Sequence, residues 1–482
     1  MPAQLTTKAQ VNGYRFLLRR YDHALVRQDV RMLHDPMRSQ FQSLMIGAVL
    51  AVLAVAGAAI LAFLHPQGAI DDAKIVMGKQ TGALYIVDDG TLHPVLNLAS
   101  ARLITGSSES PTSVQESKLT MPRGPLLGIA GAPAALPGPG DDTRSTWTLC
   151  DSVQLSPAGN MTPASGAEST VIAGTLSPEA GGARPARANQ ALLVTRAGKT
   201  FLLYGGKRAE LDPADPVVVR SLGLQGKAAR PATAGLLNSA VPAPAITAPR
   251  IDHLGDPGPG RLSGIPIGAL IRASSIDSER LYVVLAGGVQ PVSPFAAELI
   301  RNANSQGLTD IVAVAPDRLV DVPVVDSLPI DQFPQVVPEI LAAEQDPVGC
   351  ISWSRDTDAP NASITMLAGR ALPLSSSQKP VTLASATGPG DHVYSVYVPP
   401  STGEYVQVVS MATNDVIAGP LFYVADNGIR YGVPDAKTAA VLGLPKKPQP
   451  APGPIIEALV PGPSLDRSSA LASHDALPQS PS

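Results

Sequence analysis

Residues 44–64 read LMIGAVLAVLAVAGAAILAFL, 21 residues without a charge or a proline. As an α-helix at about 1.5 Å per residue, this run is about 31 Å long, which matches the hydrocarbon core of a bilayer. A cleaved leader fits less well. Its apolar stretch would be shorter, would begin nearer the N-terminus and would end in a small-residue cleavage site, whereas FLHPQG follows here with Pro66 as a helix stop. A buried core helix is the plainer reading of an apolar run, but the flanking charges favour a membrane. Residues 1–43 carry seven basic side chains (Lys8, Arg15, Arg19, Arg20, Arg27, Arg31, Arg38) against three acidic ones (Asp22, Asp29, Asp35), a net +4. The whole chain is −4, so −8 is left for everything after that segment. Such an excess of Arg and Lys before the span puts the N-terminus in the cytosol and everything from His65 onward outside. Leu44 and Leu64 are thus the expected ends of one transmembrane helix. Gly47 and Ala51, four apart, leave room for a close helix contact, a weak signal because small residues at that spacing are common.

The arm before the span is patterned as well. Val11, Tyr14, Leu18, Tyr21 and Leu25 recur at spacings of three and four, one face of a helix with arginines mainly between. A basic amphipathic helix of this kind either rests on anionic lipid or docks on a cytosolic or membrane partner. The docking reading is preferred, with those five residues as the partner-facing surface.

Across its 482 residues the chain has 48 Pro and 43 Gly but only 4% aromatic and 16% charged residues. Pro and Gly together are about a fifth of the chain, above the average of about an eighth. This composition fits a loop-rich, mostly β outer domain better than a helical bundle. A net charge of −4 gives no dominant basic surface, so no nucleic-acid partner is expected.

The only two cysteines, Cys150 and Cys350, lie beyond the span, and the only two tryptophans sit three residues away in WTLC (147–150) and CISW (350–353). In an oxidising compartment the cysteines can pair, which reads as a staple without a catalytic role. Two unrelated buried thiols remain the alternative. A metal pair lacks a CxxC or a nearby histidine to complete a ligand set, so no metal site is expected.

A hairpin pattern around a Gly-bearing turn recurs four times, as LYIVDDGTLHPV (84–95), FLLYGGKRAEL (201–211), LYVVLAGGVQPV (281–292) and FYVADNGIRYGV (422–433). Each is followed by a short helical stretch: LASARLI, PVVVRSLGL, PFAAELIRNA and DAKTAAVLGL. Gly90 and Gly288 are 198 residues apart and the cysteines 200 apart. The expected fold is therefore a single transmembrane helix plus an α+β, β-rich outer domain. Its central core carries the cysteines, and four ββα-type repeat modules stand in two pseudo-equivalent halves. The expected segments are the arm 1–43, the span 44–64, the repeat-and-core domain 65–444, and a Pro-rich tail 445–482. That tail starts as an extended strand and is disordered at its end.

Linear motifs for chemistry are scarce. AGKT (197–200) comes nearest to a phosphate loop, but Leu193 stands where such a loop needs its first glycine, and Lys199 falls at a hairpin. GxSxG, HExxH and dinucleotide GxGxxG patterns are missing from the sequence. No catalytic residue or cofactor is expected from motifs, although carboxylates brought together by folding leave no linear trace.

The run LTTKAQVNGYRFLLRRYDHALVRQDVRMLHDP resembles the EccB component of mycobacterial type VII (ESX) secretion systems. So do GALYIVDDGTLHPVLNLASARLITG, MPRGPLLGIAGAP, WTLCD, RYGVPDAKTAAVLGL and GPSLDRSSALASHDALP. The resemblance covers residues 5–478. It implies a subunit of a ring-like inner-membrane secretion complex, with EccC, EccD, EccE, a mycosin protease and further copies of itself as partners. It also implies an elongated periplasmic domain with a disulfide-bearing core and four flanking modules. Some members are described as ATPases, so Lys199, with ATP as cofactor, is the candidate under that alternative only. A periplasmic cell-wall-binding module is a second alternative, because repeats make binding surfaces.

Overall fold

The computed structural model describes residues 7–28, 30, 36–64, 73–140, 143–162, 166–274, 279–356, 359–384, 393–411 and 419–474. The expected disorder of the tail's end falls on residues 475–482, outside these. The chain divides into an N-terminal unit, which holds the first two helices, and a large sheet-built unit.

In the N-terminal unit, helix α1 runs from Lys8 to Arg27 and helix α2 from Pro36 to Leu64. Thr7 starts α1 with a capping box: its hydroxyl accepts from Gln10 N, and Gln10 Oε1 accepts from Thr7 N at 2.9 Å. Gln28, in the left-handed region at φ 55°, ends the helix.

The large unit is organised around a seven-stranded sheet. Its order is Val381–Thr382, Ser395–Tyr397, Ala167–Ala173, Arg144–Val153, Val348–Asp356, Ser363–Gly369, Arg184–Pro185. The two central strands pair antiparallel with Cys150 opposite Cys350 and Trp147 opposite Trp353. The cysteines form a disulfide across that pair. The WTLC and CISW spacing suggests that aromatic and thiol share one place. The strand period of two separates them instead. Both tryptophans, with Leu149 and Ile351, face one core, while both cysteines, with Ile172 and Leu367, face another.

Beyond this sheet, the strand pairing gives four three-stranded antiparallel modules, each followed by a helix. The expected hairpins are present, and each gains a preceding strand that the repeat pattern does not contain. These added strands are Ile75–Gly78, Gln190–Arg196, Leu270–Ser274 and Gly403–Val409. The helices start alike, with a short polar side chain accepting from a first-turn amide: Asn97, Asp215, Ser293 and Asp435 cap Leu98–Thr105, Pro216–Ser221, Pro294–Ala303 and Ala436–Val441. In the first module, Asp89 and Gly90 (φ 43° and 73°) form the two-residue turn that suits a tight hairpin.

The modules share cores in pairs that their order in sequence does not announce. The second and third pool Leu193, Leu202, Tyr204 and Leu222 with Leu270, Val283, Phe295 and Leu299. The first and fourth pool Ile75, Ile86, Leu103 and Ile104 with Tyr423, Tyr431, Val433 and Leu442, and Arg102 Nη1 donates to Leu442 O at 2.6 Å. The segment after Leu444 does more than extend a strand. Gln449–Pro452 pairs with Gly403–Val409, helix Gly453–Ala458 sinks Ile455 and Ile456 into the tryptophan core, and Asp466 caps a last short helix, Arg467–Ala470. His474 N then bonds Leu126 O at 2.9 Å, returning the chain to its first module.

Candidate functional site: a bare anchor helix, a membrane span and a stapled core

Helix α1 leaves its apolar stripe largely exposed. Val11 is 39% exposed, and Tyr14, Leu18, Tyr21 and Leu25 are more so, Leu25 reaching 80%. The structure thus brings the five residues onto one helix, as their spacing predicts. It adds Phe16, Leu17 and Val26, also exposed, which the stripe did not include. Apolar surface of this kind on a capped helix needs lipid or protein against it.

Helix α2 is 29 residues long, about 43 Å, and begins before the apolar run, at Pro36. The stretch fit to cross a membrane by length and apolarity is Gln40–Ile60, four residues earlier than Leu44–Leu64 and overlapping it. Leu44 is exposed, as are the described side chains through most of this stretch, which is what a lipid-facing helix presents.

The disulfide, fully buried, ties two strands from distant parts of the chain. Close to this core lies Arg230, which no sequence signal picks out. It is 3% exposed and donates to Asp346 O at 2.7 Å and Leu341 O at 2.8 Å. Burial lowers its pKa to about 10, still charged at neutral pH, with Asp346 and Glu344 acting to raise it. It clamps the loop that precedes the Cys350 strand. On the second module, burial likewise pushes Tyr204 up to about 12, and its hydroxyl donates to Gln332 O at 2.8 Å.

AGKT is a turn. Ala197 and Gly198 (φ 48° and 77°) connect two antiparallel strands with Arg196 opposite Lys199. Lys199 Nζ lies 3.1 Å from Glu210 Oε2 in an exposed pair, and no helix N-terminus follows it that could face a phosphate. Among the described residues, His, Cys, Asp and Glu side chains do not gather in groups of three that could hold a metal ion.

These features define a class: a single-span membrane protein with a bare basic helix before the span and a disulfide-centred, sheet-built domain after it. The chain belongs to the EccB family, whose model, described as "Type VII secretion system ESX-1, transport TM domain B", matches residues 3–479. A relative from Mycolicibacterium smegmatis, named "ESX-3 secretion system ATPase EccB3", is 37% identical over 98% of this chain and 92% of its own length. Among solved structures, a chain of the intact ESX-5 inner membrane complex superposes with a TM-score of 0.74 at 32% identity. That match covers 100% of this chain and 98% of the other. A chain of the periplasmic assembly of the same complex superposes at 0.71 and 31% identity, covering 87% of this chain and 100% of its own.

Proposed function

We propose that this chain is a structural subunit of a type VII secretion membrane complex, supporting protein export across the inner membrane and forming part of its periplasmic portion. The observation that carries this reading is the match, along essentially the full length of both chains, to a component of an intact ESX inner membrane complex. The N-terminal arm lies in the cytosol and the sheet-built domain in the periplasm, a direction supported by the net +4 before the span and by cysteines only after it. EccC, EccD and EccE are its membrane partners, with a mycosin protease and further copies of itself at the periplasmic domain. Helix α1 is the surface that docks on the cytosolic or membrane neighbours. The 198- and 200-residue offsets of the turn glycines and cysteines support an internal duplication behind the two halves of the domain.

A membrane-anchored ATPase is the rival reading, supported by the name of the M. smegmatis relative. One experiment separates the two. A tagged chain is purified in mild detergent as wild type, as the double variant Leu18→Glu/Tyr21→Glu, and as Lys199→Ala. The subunit reading expects the first variant to lose at least tenfold of its co-purifying partners while Lys199→Ala keeps them all and leaves export unchanged. Nucleotide hydrolysis that disappears in Lys199→Ala, together with lost export, would establish the ATPase instead.

A further inference from the structure

The first and third modules meet a later stretch of chain in the same way. In the first, Leu92 N donates to Pro122 O at 2.8 Å and Gly124 N to Leu92 O at 3.1 Å. In the third, Val289 N donates to Pro323 O at 2.8 Å and Val325 N to Val289 O at 2.9 Å. Arg123 and Val324 thus hold equivalent places, each bridged in parallel to the last strand of its hairpin. Tyr85 and Tyr282 are equivalent as well, opposite Pro94 and Pro291. What covers the two places differs. In the first module the stretch runs on to 126–128, where the end of the chain lies on it as an antiparallel strand. Gly128 N donates to Ala472 O at 3.1 Å and His474 N to Leu126 O at 2.9 Å. Arg123 also stands over the Tyr85 ring, its guanidinium carbon 5.6 Å from the centroid.

Among the described residues, the third module has neither cover. Pro323 O and Val325 N turn toward Val289, so the N–H and C=O of Val324 turn the other way, where they find no partner among those residues. Val324 is 68% exposed and Val320 55%. Tyr282 is partly exposed, and among the described residues no cation stands over its ring. Beside Val324 opens a cavity of about 650 Å³, with Leu281, Pro291, Val292 and Ile330 as its apolar wall. An unpaired apolar edge of this kind is a template for another strand.

The cavity is also acidic. Glu279, Asp326 and Asp331 line it, against Arg280 as the one cation. Glu279 leans on Arg272 at 3.4 Å, whereas Asp326 and Asp331 accept from the neutral amides of Gln290 and Gln332, which leave their charge in place. Residues 310–346 carry eight acidic side chains and one basic, a net −7, nearly all of the −8 that follows the arm.

We propose that this edge docks an extended, basic segment of a partner protein. The segment pairs its backbone with Val324, as residues 472–474 pair with 126–128 on the first module. Its apolar side chains enter the cavity and its lysines or arginines meet Asp326 and Asp331. One of them takes over Tyr282 the place that Arg123 holds over Tyr85.

The test titrates the full chain, solubilised in a neutral detergent, into three fluorescein-labelled hexapeptides and follows their anisotropy. One alternates valine with lysine, one valine with glutamate and one serine with lysine. The valine–lysine peptide should bind saturably, at least tenfold more tightly than the other two, and more weakly as salt is raised. Asp326→Asn/Asp331→Asn should weaken it at least fivefold with the melting temperature held within a few degrees. Val324→Pro removes the outward N–H at an edge, where proline is tolerated, and should weaken it by a comparable factor. That second variant keeps the test informative if the aspartate variant folds poorly. No saturable binding of the valine–lysine peptide by the wild-type chain, equal binding of either control peptide, or binding left unchanged by either variant would each overturn the proposal.

Discussion

Replacing Cys150 and Cys350 together with alanine is expected to cost the sheet-built domain about 5 kcal/mol of stability. The bridge closes a loop of 200 residues, and in the chain-entropy model a loop of that length withholds about that much conformational freedom from the unfolded chain. The site magnifies the loss, because the two strands it joins are the central pair of the seven-stranded sheet. A domain of ordinary stability has about 5–15 kcal/mol in total, so the variant should unfold at much lower denaturant and lose several degrees of melting temperature. Equilibrium denaturation of the oxidised wild type and the double variant measures this directly. A difference below about 1 kcal/mol would mean that sheet and core hold without the staple.

The second large effect belongs to the end of the chain. A protein terminated at Lys447 loses the strand Gln449–Pro452 and the fully buried Ile455, Ile456, Leu459 and Leu465. Each such side chain contributes about 1.5–3 kcal/mol on burial, so their combined loss is comparable to the whole stability of a typical domain. It also removes Asp466, whose carboxylate caps the last helix, and the His474–Leu126 bond that returns the chain to its first module. The truncated chain is expected to be degraded or to aggregate, while a chain ending at His474 keeps every one of these contacts and behaves as wild type. Limited proteolysis of the two truncations, side by side, distinguishes them. Equal protease resistance would contradict the structural role assigned to this segment.

Much of this architecture is legible in the sequence because its signals are local. The span is written as an unbroken apolar run, and the arm as a three-four repeat. The hairpins are written as apolar stretches around Asp89-Gly90 and Gly205-Gly206, both in left-handed geometry. The four helices announce themselves by Asn97, Asp215, Ser293 and Asp435 at their starts. What stays hidden depends on partners distant in the chain. The first strand of the first module, Ile75–Gly78, has only four residues, too short a run to stand out as an alternating pattern. Trp147 and Cys150 look like companions until a strand of period two sends them to opposite faces. The burial of Ile455 and Leu465 is masked by the proline around them, since composition reads that stretch as a tail while its neighbours in space make it core.

Nothing tests the central claim more directly than native mass and crosslinking of the complex purified in mild detergent through a tag on this chain. The subunit reading predicts a large assembly in which residues of α1 crosslink to cytosolic or membrane neighbours and the disulfide-bearing domain crosslinks to periplasmic ones. Recovery of a lone monomer or dimer, with α1 uncrosslinked, would contradict it.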